Sequence, residues 1–233
     1  IMALPVIEAP KYHLTIPSTG KTVEYRPFLV KEEKILMIAQ ETNTQTAMVA
    51  ALKDIVKSCT FGKLDLYTLT MYDIEYIFLN LRGKSVGETS EISIKCEESD
   101  EYVPVTIDLT EVEVVTKESQ SDTIELTPEV GIKLKAPGLR EMERSAKMKN
   151  VNTMTEGIMA VIDSIYDSDS VYQADNTEPK ELEEFIDSLS HQQLLLIQEW
   201  ITNMPRLEHK IEFTGPTGHK NERTLTGLSD FFA

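Results

Sequence analysis

The stretch Leu69–Leu109, LTMYDIEYIFLNLRGKSVGETSEISIKCEESDEYVPVTIDL, changes its hydrophobic period near the middle. In its first third, apolar residues lie around most of a helical circumference, which is typical of a buried helix. Thr70 precedes this segment as an N-cap, with Asp73 three residues on as in a capping box. Gly83 and Gly87 bracket the predicted helix exit, where glycine permits a positive φ. Beyond them apolar and polar residues alternate, so we predict an antiparallel β-hairpin packed on a buried helix.

Composition limits the class of protein. The chain has 233 residues, enough for one large or two small hydrophobic cores. No apolar run reaches the ~20 residues that a membrane span needs, and we expect neither a signal peptide nor a membrane protein. With 23 basic against 39 acidic residues the net charge is −16, which repels phosphate backbones and predicts no nucleic-acid binding. Cys59 and Cys96 cannot build a disulfide framework and favour a reducing, cytosolic setting.

The residues before the central stretch predict a hairpin and two helices. Apolar residues alternate with polar ones on both sides of a turn at Gly20, which indicates a first β-hairpin. The segments Lys31–Gln40 and Thr46–Ser58 have helical spacing. In the first of them we expect three apolar side chains to face inward, Ile35, Leu36 and Ile38.

The residues after the central stretch predict further strands and then mainly helices. Strands are expected over Val112–Val115 and within Ile124–Leu134, and Asp167–Asn176 is expected to be a mobile acidic loop. The predicted helices are Leu139–Met148, Met154–Tyr166, Thr177–Leu189 and Ser190–Asn203, and a last hairpin returns over Thr224–Leu228.

These elements predict an α+β fold with an N-terminal β-hairpin, helical segments and two helix-plus-β-hairpin units. The predicted regions are 1–136, an N-terminal α+β region with the central helix and sheet, and 137–233, a mainly helical region ending in a β-hairpin. The order of elements in Leu69–Leu109 recurs in Ser190–Leu228. A chance echo and a true duplication both remain open.

Residues with catalytic potential are sparse. No two of the four histidines have the spacing of a metalloprotease helix, and Gly83-Lys84-Ser85 lacks the upstream glycine and strand of a phosphate-binding loop. Asp73 and Glu75 are interpreted as capping and solvated residues at a helix start. The acidic hairpin tip, Glu97–Glu101, lacks the ligand spacing of a calcium loop. We therefore predict no catalytic, cofactor-binding or metal-binding residue and no enzyme, with a metal-dependent enzyme as the remote alternative.

The end of the chain carries an apolar hook made by Leu228, Phe231 and Phe232. Terminal residues fray unless they are docked. The hook therefore either packs on its own domain or inserts into a partner, and the sequence leaves both alternatives open.

Three stretches together resemble the baseplate hub assembly proteins of T4-like contractile-tailed bacteriophages. YHLTIPSTGKTVEYRPFLVKEEKILMIA (Tyr12–Ala39) is similar to the opening of that family, and LTMYDIEYIFLNLRGKSVGE (Leu69–Glu88) to its most characteristic motif. The closing pattern from Leu182 to Phe232, with Met204-Pro205 before the last hairpin, is also similar.

The resemblance implies a non-enzymatic protein that acts in baseplate hub assembly through protein–protein contacts. Its expected partners are other hub or tape-measure proteins, for which it is an assembly factor or chaperone in the host cytoplasm. The alternative is a structural hub subunit retained in the virion tail baseplate, and self-association stays open. As hypothetical contact sites we select the Arg26–Lys34 segment, the Gly83–Gly87 turn and the C-terminal hook. Their residues are Arg26, Phe28, Lys31, Arg82, Lys84, Leu228, Phe231 and Phe232.

The sequence departs from the family pattern at both hairpin tips. Many relatives carry Cys-x-x-Cys knuckles there, whereas this chain has Cys96 with Ser99 in the first tip and Thr214 with Thr217 in the second. If the knuckles bind zinc in relatives, the resemblance implies that the metal is absent here. One thiolate does not make a zinc site.

Overall fold

The fold is known from a computed structural model that describes residues 7–96, 99–116, 121–147 and 152–231. In these residues the helices are α1 Val30–Thr42, α2 Gln45–Cys59, α3 Met71–Val86, α4 Leu139–Ser145, α5 Thr153–Val161, α6 Pro179–Asp187, α7 His191–Asn203 and α8 Gly227–Phe231. The strands are β1 Tyr12–Thr15, β2 Thr22–Tyr25, β3 Thr89–Lys95, β4 Tyr102–Asp108, β5 Glu113–Val115, β6 Thr123–Glu125, β7 Gly131–Leu134, β8 Ile162–Tyr166, β9 Val171–Gln173, β10 Arg206–Thr214 and β11 Lys220–Thr226. All their pairings are antiparallel, which confirms the α+β class and the N-terminal hairpin.

The chain divides into two compact units. One comprises residues 1–115 and 206–233, and the other comprises residues 116–205. This division differs from the predicted regions 1–136 and 137–233 because β10 pairs with β5, with Arg206 opposite Val115. The C-terminal hairpin therefore belongs to the same unit as the central helix.

Helix α3 is the predicted buried helix, and its capping box is present. The Asp73 N–H donates to Thr70 Oγ1 over 3.3 Å, and the Thr70 N–H donates to Asp73 Oδ2 over 3.1 Å. The helix continues through Gly83 to Val86, so its exit lies at the far end of the predicted Gly83–Gly87 bracket. It ends at Gly87, where φ is +144°, a value that glycine tolerates and other residues rarely adopt.

Strands β3 and β4 form the predicted hairpin, in register from Thr89 opposite Asp108 to Lys95 opposite Tyr102. A second sheet of the same unit has the order β11-β10-β5. Alternate residues of both sheets and one face of α3 meet in a core with the C-terminal helix. That core consists of Leu79, Ile92, Ile94, Ile107, Leu109, Val112, Leu207, Ile211, Leu225 and Phe231.

The N-terminal helices form as predicted, but the inward face of α1 was predicted wrongly. Ile38 is 63% exposed, and Ile35 and Leu36 are only half-buried. The buried residues of α1 are instead Glu32 and Ala39, seven positions and two turns apart. The helix is rotated in this way because Glu32 is held by hydrogen bonds from its neighbours, which are described below.

The second unit is built on a four-stranded sheet of order β6-β7-β8-β9. Its core joins strands β7 and β8 to helices α5, α6 and α7. The buried members are Ile132, Leu134, Ile158, Met159, Val161, Ile162, Ala174, Leu182, Ile186, Ile197 and Trp200.

Two predictions in this unit are wrong. The helix expected over Met154–Tyr166 ends at Val161, and its last five residues form β8 because they pair with β7 on one side and β9 on the other. The mobile loop expected over Asp167–Asn176 contains β9 and a short 3-10 turn at Ala174–Asn176, whose first residue is buried.

The end of one helix and the start of one strand also differ from prediction. Helix α4 ends at Ser145, whereas Met148 lies outside the described residues. The return strand of the last hairpin begins at Lys220 and is followed by α8. In the part of the chain that the structure describes, no helix has both the length and the apolarity to cross a membrane.

Candidate partner-binding surface

Arg26, predicted as a contact residue, is buried at the end of β2 and ties three elements together. Its Nη2 donates to Glu32 Oε1 over 2.9 Å and its Nη1 to Glu32 Oε2 over 3.3 Å, a two-pronged pairing with a carboxylate of α1. The same guanidinium donates to Ser58 Oγ at the end of α2 over 3.1 Å. In this structure the side chain therefore fastens the N-terminal hairpin to both helices and presents little surface to a partner.

The carboxylate of Glu32 is charged despite its burial. Burial alone would raise its pKa, but hydrogen bonds from Arg26, Ser58 and the Leu29 N–H together outweigh burial and lower the pKa to about 2. Burial raises the pKa of the neighbouring Cys59 thiol to about 11. Cys59 is therefore a protonated thiol at neutral pH and not a nucleophile.

Phe28 links two of the predicted contact segments, Arg26–Lys34 and Gly83–Gly87. Its N–H donates to Ser85 Oγ over 2.7 Å, and its ring lies 5.6 Å from that of Phe78 on α3. The Arg26–Lys34 segment and the last turn of α3 are thus neighbours. Lys31 is largely exposed, with Nζ 3.5 Å from Glu32 Oε1.

The outer side of α1 carries apolar side chains that face solvent. Val30, Met37 and Ile38 are 65%, 55% and 63% exposed. Positions seven and eight residues apart fall on the same face of a helix, so these three side chains form one stripe, which we call the α1 face. Exposed apolar groups that cluster in this way are typical of protein-contact surfaces.

The residues of the predicted Gly83–Gly87 site lie at the end of α3. Arg82 Nη1 donates to the Gly87 carbonyl over 3.1 Å, which holds the helix exit. Lys84 pairs with Glu88 four residues on, and its Nζ lies 5.5 Å from the centre of the Tyr12 ring. Both side chains therefore stabilise the local structure of this turn, and Lys84 also contacts β1.

Within the C-terminal hook, Phe231 is fully buried in the core of its own unit. This arrangement corresponds to the first alternative, packing on its own domain, and leaves Phe231 without exposed side-chain surface. Leu228 is half-buried against the same core, and Phe232 lies outside the described residues. A partner role for the three residues remains a prediction.

The two acidic residues at the start of α3 have different environments. The carboxylate of Asp73 is buried and accepts from the Ser18 N–H over 2.9 Å and from the Ser18 hydroxyl over 2.5 Å, besides capping the helix. Burial raises the pKa of Glu75 to about 7, although the Leu228 N–H donates to its carboxylate and opposes the rise. Asp73 thus joins the first hairpin to α3, and Glu75 joins α3 to α8.

The two hairpin tips, one beginning at Cys96 and the other at Gly215, are adjacent in space. Asn221 Nδ2 lies 3.9 Å from Cys96 Sγ, and a β-carbon placed on Gly215 would lie 2.9 Å from the same sulfur. Cys96 is buried and faces the second tip. Among the residues that the structure describes, no group of three or more His, Cys, Asp or Glu side chains could hold a metal ion.

Sequence reasoning missed two exposed apolar features of this unit, the α1 face and Phe61. Phe61 follows α2 and is 39% exposed. The sequence does contain a signal for the α1 face, because Val30, Met37 and Ile38 lie at helical spacing. Val30 and Met37 are not among the residues that we predicted to face inward. Nothing in the sequence distinguishes Phe61 from a core aromatic.

The family of the chain follows from one comparison. A family model described as T4 bacteriophage base plate protein matches residues 9–233. No curated protein and no solved structure matches the chain significantly. The family match includes all three stretches on which the resemblance was based and nearly every described residue of both units. The chain therefore belongs to the T4 bacteriophage base plate protein family.

Proposed function

We propose that this protein acts in assembly of the baseplate hub as a non-enzymatic factor that binds other tail proteins. The α1 face is the observation that carries the proposal. It exposes three large apolar side chains on a helix that is itself anchored by the buried Arg26–Glu32 pair. An apolar stripe on a rigid support is suited to bind a partner without a large ordering cost.

The charge of the chain supports a role as a free assembly factor. A net charge of −16 keeps copies of the protein apart and away from nucleic acid before docking. Both properties suit a chain that is made in the host cytoplasm and delivers a hub or tape-measure protein. A structural subunit retained in the virion is the competing role within the same family.

A pair of variants on α1 tests the contact. Ile38→Glu places a charge in the α1 face, whereas Gln40→Glu adds the same charge to an exposed polar position two residues away. Each variant is supplied to a phage that lacks the gene, and the yield of infectious particles is counted. We expect Ile38→Glu to lower the yield at least tenfold and Gln40→Glu to leave it unchanged.

The melting temperature of each purified variant is the control for folding. Both positions are exposed, so neither change should lower the melting temperature by more than a few degrees. An Ile38→Glu protein that folds and complements as well as wild type would overturn the α1 face as the contact.

A further inference from the structure

Phe61 adopts a backbone conformation that its side chain disfavours. Its φ is +58°, in the left-handed region, and the next residue, Gly62, has φ +65°. Two hydrogen bonds close the end of α2, from the Phe61 N–H to the Ser58 carbonyl over 3.2 Å and from the Gly62 N–H to the Lys57 carbonyl over 2.8 Å. Helices that end in this way usually place glycine at the first left-handed position, because a β-carbon there is strained.

Burial of the ring does not explain this strain, because Phe61 is 39% exposed. The ring is held at the surface by two cations. Lys11 Nζ lies 5.2 Å and Lys63 Nζ 5.4 Å from the ring centre, both within cation–π distance. A large aromatic residue kept in a strained conformation and left in solvent points to a binding role.

The same two lysines share one carboxylate. Glu24 Oε1 lies 3.5 Å from Lys11 Nζ and 3.2 Å from Lys63 Nζ, and its other oxygen lies 4.0 Å from His13 Nε2. The side chains of both lysines and of His13 are about 60% exposed, so they remain accessible. One negative charge against two ammonium groups leaves a net positive surface beside Phe61.

This local charge is opposite to that of the whole chain. Residues 11–63 contain eight lysines and arginines against five aspartates and glutamates, although the chain as a whole has a charge of −16. Next to Glu24 and Lys63 lies an open cavity of about 520 Å³ whose lining also includes His13, Lys21 and the acidic residue Asp65. This region therefore offers a basic surface to an acidic polypeptide segment, whereas the chain as a whole is acidic.

We propose that Lys11, His13, Phe61 and Lys63 form a docking site for an acidic polypeptide segment that carries an apolar side chain. The apolar side chain packs on the Phe61 ring, and neighbouring carboxylates pair with the two lysines. We call this surface the Phe61 site. It shares no residue with the α1 face. That the segment comes from another tail protein rests on the proposed function.

Binding of synthetic peptides to the full chain tests the Phe61 site. The probes are labelled overlapping peptides that cover the other tail proteins of the source phage, measured by fluorescence anisotropy. We expect the peptides that bind to be acidic and to contain a large apolar residue, and their affinity to fall as salt is raised. Binding by basic peptides alone, or by none, would overturn the inference.

Three variants assign the binding to these residues. Phe61→Gly should weaken binding at least tenfold without lowering the urea midpoint of unfolding, because glycine removes the backbone strain. Lys63→Glu should weaken it similarly, and since Lys63 is exposed this variant keeps the test valid if Phe61→Gly fails to fold. Lys220→Glu makes the same charge change at an exposed position on β11 and should bind as wild type.

The inference fails if Phe61→Gly and Lys63→Glu both bind the acidic peptides as tightly as wild type. Its failure is distinguishable from failure of the proposed function. A chain that depends on Ile38 for particle formation but binds no acidic peptide would overturn the Phe61 site alone. A chain that binds acidic peptides at Phe61 but is dispensable for particles would overturn the assembly role alone.

Discussion

Arg26 and Glu32 form a buried pair whose two members depend on each other. Removing one partner leaves an uncompensated charge in the interior, which typically costs ~3–5 kcal/mol. We predict a loss of that size in the free energy of unfolding for Arg26→Ala, measured by urea denaturation. Lys31→Ala is the control, because Lys31 is exposed and its ion pair with the same carboxylate should contribute less than ~1 kcal/mol. Equal effects of the two variants would contradict the account of this cluster.

Glu75 should make the protein less stable as the pH rises. Burial raises its pKa to about 7 in the folded state from its ordinary value of 4.5, so the folded chain binds more protons than the unfolded chain between these values. Stability is therefore fully present below pH 4.5 and is lost as the pH rises through 7, by up to ~3 kcal/mol.

Glu75→Gln removes this titration while an oxygen remains for the Leu228 N–H. We predict that the variant raises the free energy of unfolding at pH 8 and changes it little at pH 5, measured from urea unfolding curves at both values. A variant that is destabilised equally at both pH values would show that the carboxylate is needed as a hydrogen-bond acceptor and that its charge carries no cost.

At the scale of elements, the end of α3 offers a matched pair of glycines. Gly83 lies inside the helix, and the nearest heavy atom to an added β-carbon is the Glu88 Cα at 4.0 Å. Gly87 has φ +144°, where a side chain is strained. We predict that Gly83→Ala stabilises the protein by ~0.4–1 kcal/mol and that Gly87→Ala destabilises it by more than that. Thermal unfolding of both variants checks the prediction, and a destabilising Gly83→Ala would contradict the helix end at Val86.

Helix α8 is short, and its attachment depends on Phe231. The ring is fully buried between the hairpins and α3, so truncating it should cost ~3–5 kcal/mol. We predict a corresponding fall in melting temperature for Phe231→Ala and little change for Ser229→Ala, whose side chain is exposed on the same helix. A nearly unchanged melt for Phe231→Ala would favour insertion of this residue into a partner.

The elements that could be predicted from sequence are those with complete local signals. Helix α3 has its cap and its apolar circumference in adjacent residues, and β3 and β4 have strict alternation. Residues 158–165 carry apolar side chains at spacings that fit both a helix and a strand, and pairing of β8 with β7 and β9 decided between them. Pairing between strands that are distant in sequence cannot be predicted from the hydrophobic pattern of a short stretch of residues.

The candidate site was predictable only in part, for a related reason. The predicted contact segment Arg26–Lys34 contains only Val30 of the α1 face, whereas Met37 and Ile38 lie beyond it. Arg26 itself is buried because Glu32 and Ser58 converge on it from two helices. Phe61 could not be selected, since its exposure depends on the left-handed turn after α2 and on lysines 50 residues before it and 2 after it.

At the scale of the whole molecule, the chain consists of two units, one of which is assembled from both ends of the sequence. The α1 face and the Phe61 site both belong to that unit. The chain has 62 acidic and basic residues, and 39 of them are acidic. Membership of the base plate family, together with two proposed contact surfaces of different chemistry, favours our proposal of a protein that binds more than one segment of its partners.

Quantitative mass spectrometry of purified mature virions and of infected cells tests the central claim most directly. An assembly factor is made during infection and released before the particle is complete. We therefore predict that peptides of this chain are abundant in infected cells and absent from virions in which the other tail proteins are quantified. A fixed number of copies per virion would contradict the claim and make the chain a structural subunit of the baseplate.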